Sequence, residues 1–217
     1  MNPARALVLL LLLVEFASGQ DKAAAPPVLK SLHGTMITLI DSDRGIEMEV
    51  WAKGNNVRSE IKMGDAKVVV VQRGDTMYTF SPGKSDGQKT RFESGLAAHG
   101  LIEQIAIVKS RGKKERSQVA EGIQYDQYSY NVDAPQEQAI VLLETKTSLP
   151  KDWFSVVKNG DREPAGMRIV FRDLEANVEV PDELFELPEG VKFSDVTAAD
   201  LMSTPIPQSV PKGSTDQ

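Results

Sequence analysis

The chain of 217 residues contains no cysteine. That absence excludes disulfides, thiolate metal sites, a cysteine nucleophile and the lipid-modified cysteine of an anchored lipoprotein. Histidine is almost as scarce, with His33 and His99 as the whole supply. A metal centre or an acid–base site needs convergent partners, which two separated histidines do not provide by themselves. Aromatic residues make up 6% of the chain, which leaves little for a platform that stacks bases or sugars. Excess positive charge is missing too: 25 Lys and Arg stand against 31 Asp and Glu, a formal charge of −6. An acidic chain without a long basic stripe matches neither nucleic acid nor an anionic membrane surface. Only one apolar run is prominent, and no stretch reaches the ~20 residues that a membrane-spanning helix requires.

That run, Ala6 to Val14, follows Arg5 and is interrupted by Glu15. Ala17-Ser18-Gly19 then places small residues before Gln20. A positive start, a short apolar segment and small residues at a cleavage point make residues 1–19 a secretory signal peptide. The removed segment carries one Arg and one Glu, so cleavage leaves the net charge unchanged. Residues 20–28 read as a flexible leader and 29–200 as one folded domain. Residues 201–217, rich in Pro, Ser, Thr and Gly, read as a disordered tail. A domain of that length has enough chain to bury a core, and without disulfides its stability must come from one.

The first half of the domain reads as hairpins. Ser31 to Ile40 is β-prone, and Asp41 to Gly45 is a turn. Ile46, Met48, Val50 and Ala52 alternate with Glu47, Glu49, Trp51 and Lys53, the pattern of a strand with one wet face. After Gly54-Asn55-Asn56, Val57, Ser59, Ile61 and Met63 alternate with Arg58, Glu60 and Lys62. Lys67 to Gln72 holds four consecutive valines, which suits a central strand covered on both faces. Thr76 to Phe80 follows the turn at Arg73-Gly74-Asp75. Short turns between successive strands predict an antiparallel meander.

The period then changes. Ala97, Leu101, Ile105 and Val108 lie at helical spacing, with Ser94 as a prospective cap, a start near Gly95 and an end near Arg111-Gly112. The basic cluster Lys109, Arg111, Lys113, Lys114 and Arg116 reads as a solvated turn after this helix. Strands resume at Ser117, with a phase shift that predicts a β-bulge or bend near Asp126-Gln127. Ala139 to Thr145, 151–157, Met167 to Phe171 and Asn177 to Val180 complete about nine strands. Asn159-Gly160-Asp161 reads as a hairpin turn, and Pro181 to Phe185 as a short helical turn that starts at proline.

Catalytic signals are thin. Gly83-Lys84-Ser85-Asp86-Gly87 matches the letters of a serine nucleophile elbow, but that device needs a buried strand turning straight into a helix. Pro82 precedes it and polar residues follow it, so it reads as a flexible turn. The Lys84-Ser85 pair lacks the earlier glycine of a phosphate loop. His99 and Glu103 sit four apart on the helix, a hydrogen-bonding spacing and no metal site. Glu47 and Glu49 share a strand face and read as solvated. No catalytic residue, metal ligand or cofactor is therefore assigned, and the chain is expected not to be an enzyme.

Three stretches carry a family resemblance. Gly45 to Met63 resembles the strand–turn–strand of LolA-like proteins, in which an arginine sits on the third strand; Arg58 matches it. Val70 to Pro82 is similar to the family segment of strand, glycine–aspartate turn, aromatic strand and proline. Val178 to Val191 resembles its closing signature of Asp, Leu-Phe and Pro-x-Gly, and Leu149-Pro150 also fits. The resemblance implies a curved antiparallel sheet forming a half-open β-barrel, covered by one or two helices, in a mostly β (α+β) fold. It implies a periplasmic carrier of acyl chains, lipid or lipoprotein, with transport between the membranes of a bacterial cell envelope. The ligand-binding residues on this reading are Ile46, Met48, Val50, Val57 and Ile61 of the sheet, with Leu101, Ile105 and Val108 of the helix as a lid. Acyl chains offer no polar handles, so an apolar lining suffices. The alternative is an envelope sensor or interaction protein that binds a protein partner with the same fold, and a hydrolase using Ser85 is a third reading.

Overall fold

The computed structural model describes residues 28–39, 45–93, 96–131, 137–157 and 165–197. The signal peptide, most of the leader, the tail, the Ser94 cap and the turns at 41–44, 133–136 and 159–161 lie outside them. Twelve strands occur among the described residues: β1 (Ser31–Leu39), β2 (Gly45–Lys53), β3 (Asn56–Met63), β4 (Ala66–Arg73), β5 (Thr76–Phe80), β6 (Asp86–Arg91), β7 (Lys113–Ala120), β8 (Ile123–Asn131), β9 (Glu137–Glu144), β10 (Pro150–Val157), β11 (Ala165–Ala176) and β12 (Lys192–Asp195). One α-helix, α1 (Leu101–Arg111), separates β6 from β7, and 3-10 turns occupy Leu96–Ala98 and Asp182–Phe185.

All twelve strands form one sheet, in the order β12-β6-β5-β4-β3-β2-β1-β11-β10-β9-β8-β7. The sheet is long, curved and antiparallel, apart from β12, which pairs parallel with β6. The expected meander therefore holds from β1 to β5. Its tight turns place glycine first, with positive φ at Gly54, Gly64 and Gly74, as a two-residue hairpin of this hand requires. A second meander, β7 to β11, joins the first through β1 and β11. There β11 bulges, with Asp173 and Leu174 opposite the single residue Gly34 between His33 and Thr35. Gly34 is required at that point, because a Cβ would lie 2.7 Å from Leu174 Cδ2 and 2.8 Å from the Asp173 carbonyl.

Several boundaries differ from expectation, each for a physical reason. Residues 86–91 form β6, although only Thr90 of the strand is buried; backbone pairing with β5 holds it, without an apolar alternation to announce it. β12 is four residues long and largely exposed, and so equally silent. β11 extends to Ala176, and residues 177–180 are not a strand but lead the chain out of the sheet. α1 starts at Leu101, after the separate 3-10 turn, with Gly100 as its N-cap. Lys113, Lys114 and Arg116 lie on edge strand β7, not in a turn. The irregularity expected near Asp126-Gln127 is not on β8 but opposite it on β7, where Glu115 is the extra residue between Lys114 and Arg116 and Arg116 faces Gln127.

Two apolar cores lie on opposite faces of this sheet. The larger gathers Leu32, Val50, Ala52, Val141, Trp153 and Phe171 beneath Leu101, Ile102, Ile105 and Val108 of α1. The smaller gathers Val69, Val71 and Phe80 beneath Val180 and Phe185 of the C-terminal segment. The four valines at 68–71 alternate between the two faces, but the expected full cover on both faces is found on one. Only Val69 and Val71 are fully covered.

Candidate functional site

The register fixes which side chains share the inner face, on which α1 lies. Leu32 pairs with Ala52, Met36 with Met48 and Thr38 with Ile46. Across the next two ladders, Met48 pairs with Ile61, Ala52 with Val57 and Ile61 with Val68. Side chains alternate between faces along each strand, so Ile46, Met48, Val50, Val57 and Ile61 all project inward. The helix adds Leu101, Ile105 and Val108 to the same side. All eight apolar residues expected to bind ligand are therefore brought to one face.

They do not share one environment. α1 begins against the β2–β3 turn, where a Cβ on Gly100 would lie 2.7 Å from Asn55. It ends near β8, where one on Gly112 would lie 3.1 Å from the Ser129 carbonyl. Along the way Lys109 Nζ donates to Ser148 Oγ at 2.6 Å. Beneath this diagonal the sheet is filled: Val50 and Val108 are 0% exposed, Ile105 2% and Leu101 9%. The helix residues and Val50 belong to one packed core. Val57 packs at the margin of that core, half-buried.

Away from the helix the same face holds apolar residues that belong to neither core among the described residues. Ile46, Met48, Ile61, Val68 and Val70 are half-buried, and none belongs to either core cluster. Met36, which packs against the larger core, stands side by side with Met48, Ile61 and Val68 on four adjacent strands. At ~4.8 Å between strands, they make an apolar row about 15 Å long across the sheet. Val68 and Val70, absent from the expected set, belong to this row and its neighbour; a run of four valines gave no hint of which ones remain uncovered. The chemistry available is dispersion and desolvation, supplied by branched aliphatic groups and two adaptable thioethers.

Arg58 is on the other face. Its Nε and a terminal nitrogen donate to Glu60 Oε1 at 2.9 and 2.6 Å, and its other terminal nitrogen donates to the Leu184 carbonyl at 2.9 Å. Lys67 Nζ completes the group, 2.5 Å from the second Glu60 oxygen. Burial pushes the Glu60 carboxyl up, but hydrogen bonds from Lys67 and Arg58 outweigh it and hold the carboxyl below its usual range. Arg73 similarly donates to the Phe185 carbonyl through Nε at 2.8 Å, and Lys53 Nζ to the Val180 carbonyl at 3.2 Å. Three cations thus strap residues 180–185 across the outer face. The matched arginine is one of these anchors and does not reach the apolar row.

The catalytic readings find no support in local geometry. Gly83 has φ 82° in a turn closed by Lys84 N–H on the Ser81 carbonyl, and the chain then enters strand β6, not a helix. His33 stacks on Trp51 at 5.1 Å and hydrogen-bonds Glu49 at 3.0 Å on the outer face. His99 lies 3.1 Å from Glu103 on α1. Among the described residues, no group of three His, Asp or Glu could hold a metal ion, and no helix is long and apolar enough to cross a membrane.

Comparison with known proteins agrees with this architecture. No protein-family model matches the chain, and no curated protein matches it. Among solved structures, an uncharacterized conserved protein from Thermus thermophilus is similar at a TM-score of 0.52 and 8% identity, covering 78% of this chain and 92% of its own. PNGF-II gives a TM-score of 0.42 at 10% identity, over 80% of this chain and 33% of its own. A LolA superfamily protein from Nitrosomonas europaea gives 0.40 at 11%, over 75% of this chain and 93% of its own. The first of these is a likeness of fold alone, and the other two are fainter.

Proposed function

We propose that this chain is an exported, non-enzymatic protein that binds an acyl chain, of a lipid or lipoprotein, along the half-buried apolar row of its inner face. The observation that carries the reading is the set Ile46, Met48, Ile61, Val68 and Val70: apolar, half-buried, on one face and outside both cores, with Met48, Ile61 and Val68 side by side. Contiguous apolar surface on a folded domain marks a place where something else docks. Burial there releases roughly 25 cal/mol per Å², so an acyl chain needs no polar contact to be held. The residues that resemble LolA-like motifs point the same way, and export by the signal peptide would deliver the protein to the periplasm, where a lipid in transit needs a carrier. The site is narrower than the sequence implied: Ile46, Met48 and Ile61 line it with Val68 and Val70, whereas Val50, Leu101, Ile105 and Val108 brace it from within the core. Displacement of a fluorescent fatty acid from delipidated protein tests this. Wild type should bind, and Ile61→Glu and Met48→Glu should each abolish binding while the far-ultraviolet circular dichroism stays unchanged. Binding that survives both substitutions in folded protein contradicts the reading. Recovery from cells with one specific envelope protein, and with no lipid, would favour a partner-binding role on the same surface.

A further inference from the structure

The apolar row does not end at a wall. Val69 pairs with Phe80, and Phe80 with Gly87, so the position beside Val68 on the inner face is Ser81, and beside that is Asp86. Asp86 pairs in turn with Lys192 of β12. Read across the sheet, the row runs Met36, Met48, Ile61, Val68, and then Ser81, Asp86, Lys192. The apolar-to-polar change falls between β4 and β5, within one strand spacing.

A cleft of about 480 Å³ opens at this polar end. It is lined by Val68 and by Thr79, Ser81, Lys84, Gln88 and Lys192, among others. Phe193 does not fill it from the inner side, because its ring packs edge-on against Tyr78 and Phe80 on the outer face. Alternation then turns the neighbouring Lys192 and Ser194 inward. The Lys84 and Lys192 ammonium groups have no ion-pair partner among the described residues, in contrast to Lys53, Lys67, Lys89, Lys113 and Lys114. Two unpaired cations, with hydroxyl and amide donors, thus stand where the apolar row stops. Asp86 is the single carboxylate on the lining.

We infer that the ligand is a single-chain amphiphile with an anionic head group, held in one direction: its chain along Met36, Met48, Ile61 and Val68, its carboxylate or phosphate over Ser81, Lys84 and Lys192. This rests on the acyl-chain reading above and adds head-group chemistry and orientation to it. An apolar lining alone sets no direction and does not separate a fatty acid from a fatty alcohol. The two lysines do both. The turn at 81–85, whose letters resemble a nucleophile elbow, becomes the head-group rim of a binding surface.

Calorimetric titration with decanoate, decanol and acetate at neutral pH tests the inference, using wild type and the double variant Lys84→Gln/Lys192→Gln. Both substitutions fall on exposed side chains and leave the row intact. Wild type should prefer decanoate to decanol about two- to fivefold, the scale of an exposed ion pair. The double variant should lose that preference and keep its decanol affinity. Equal binding of the two ligands by wild type, or a preference that survives the double substitution, overturns the head-group assignment and leaves the acyl-chain reading standing. Acetate binding as tightly as decanoate overturns it as well, in favour of a free small-anion site. Failure of both ten-carbon ligands to bind removes the two readings together.

Discussion

The inner face of this sheet contains two regions built from the same alternation of apolar and polar residues, and they end in different states. Under α1, Leu32, Val50, Ala52, Trp153 and Phe171 are dry core. A few residues along the same strands, Ile46, Met48 and Ile61 are half-buried with no described side chain packed on them from either core. The difference lies in what crosses overhead. Eleven residues of helix span the sheet on one diagonal, and such a helix is only ~16 Å long. The sheet is far wider than its cover. An apolar face that exceeds the helix available to cover it leaves some of its side chains outside the core.

The largest test of this contrast is in the covered region. Phe171→Ala, at a site 2% exposed, should destabilise the fold by ~3–5 kcal/mol, and Ile105→Ala by ~2–5 kcal/mol, as lower urea midpoints. Next is the outer face, where cover is strapped on by cations. Arg58→Met leaves the Leu184 carbonyl without its donor and Glu60 with one partner fewer. It should cost about 1–3 kcal/mol, with faster amide exchange around Asp182–Phe185.

A smaller effect follows from acid. Glu60 and Asp126 are both pushed up by burial and held below the usual range by hydrogen bonds, from Lys67 and Arg58 in one case and Lys114 and Ser117 in the other. A carboxyl whose folded pKa lies below its unfolded value contributes stability that is fully present above the unfolded value and is lost as pH falls through the folded one. Stability should therefore decline on acidification through the ordinary carboxylate range, and Glu60→Gln should be less stable at neutral pH with a shallower decline. The smallest effect sharpens the contrast most. Met48→Ala and Ile61→Ala, outside both cores, should change stability by no more than about 1 kcal/mol, while weakening acyl-chain binding in the displacement assay. If they destabilise as Ile105→Ala does, the row is core after all.

Much of this was legible in the sequence. The hairpins of β1 to β5, the amphipathic helix, the alternation that puts Ile46, Met48 and Ile61 on one face and the turn at Asp182–Phe185 all follow from local chemistry. Local chemistry also explains what stayed hidden. β6 and β12 have one buried residue and none, respectively, and are held by backbone pairing that no side-chain pattern records. Arg58 looks like a site residue until the strap is seen to cross it; its carbonyl partner, Leu184, lies 126 residues away along the chain. Whether an inward apolar residue is core or lining depends on the path of α1. Val50 and Met48 have the same place in the alternation, and the helix covers only one of them.

Methyl-resolved NMR of the isoleucine, valine and methionine side chains during titration with decanoate tests the division of the inner face most directly. The account predicts that shifts concentrate at Ile46, Met48, Ile61, Val68 and Val70, while Val50, Ile105 and Val108 stay still. Shifts at Ile105 and Val108 with none at Ile61 would place the ligand beneath the helix and contradict it.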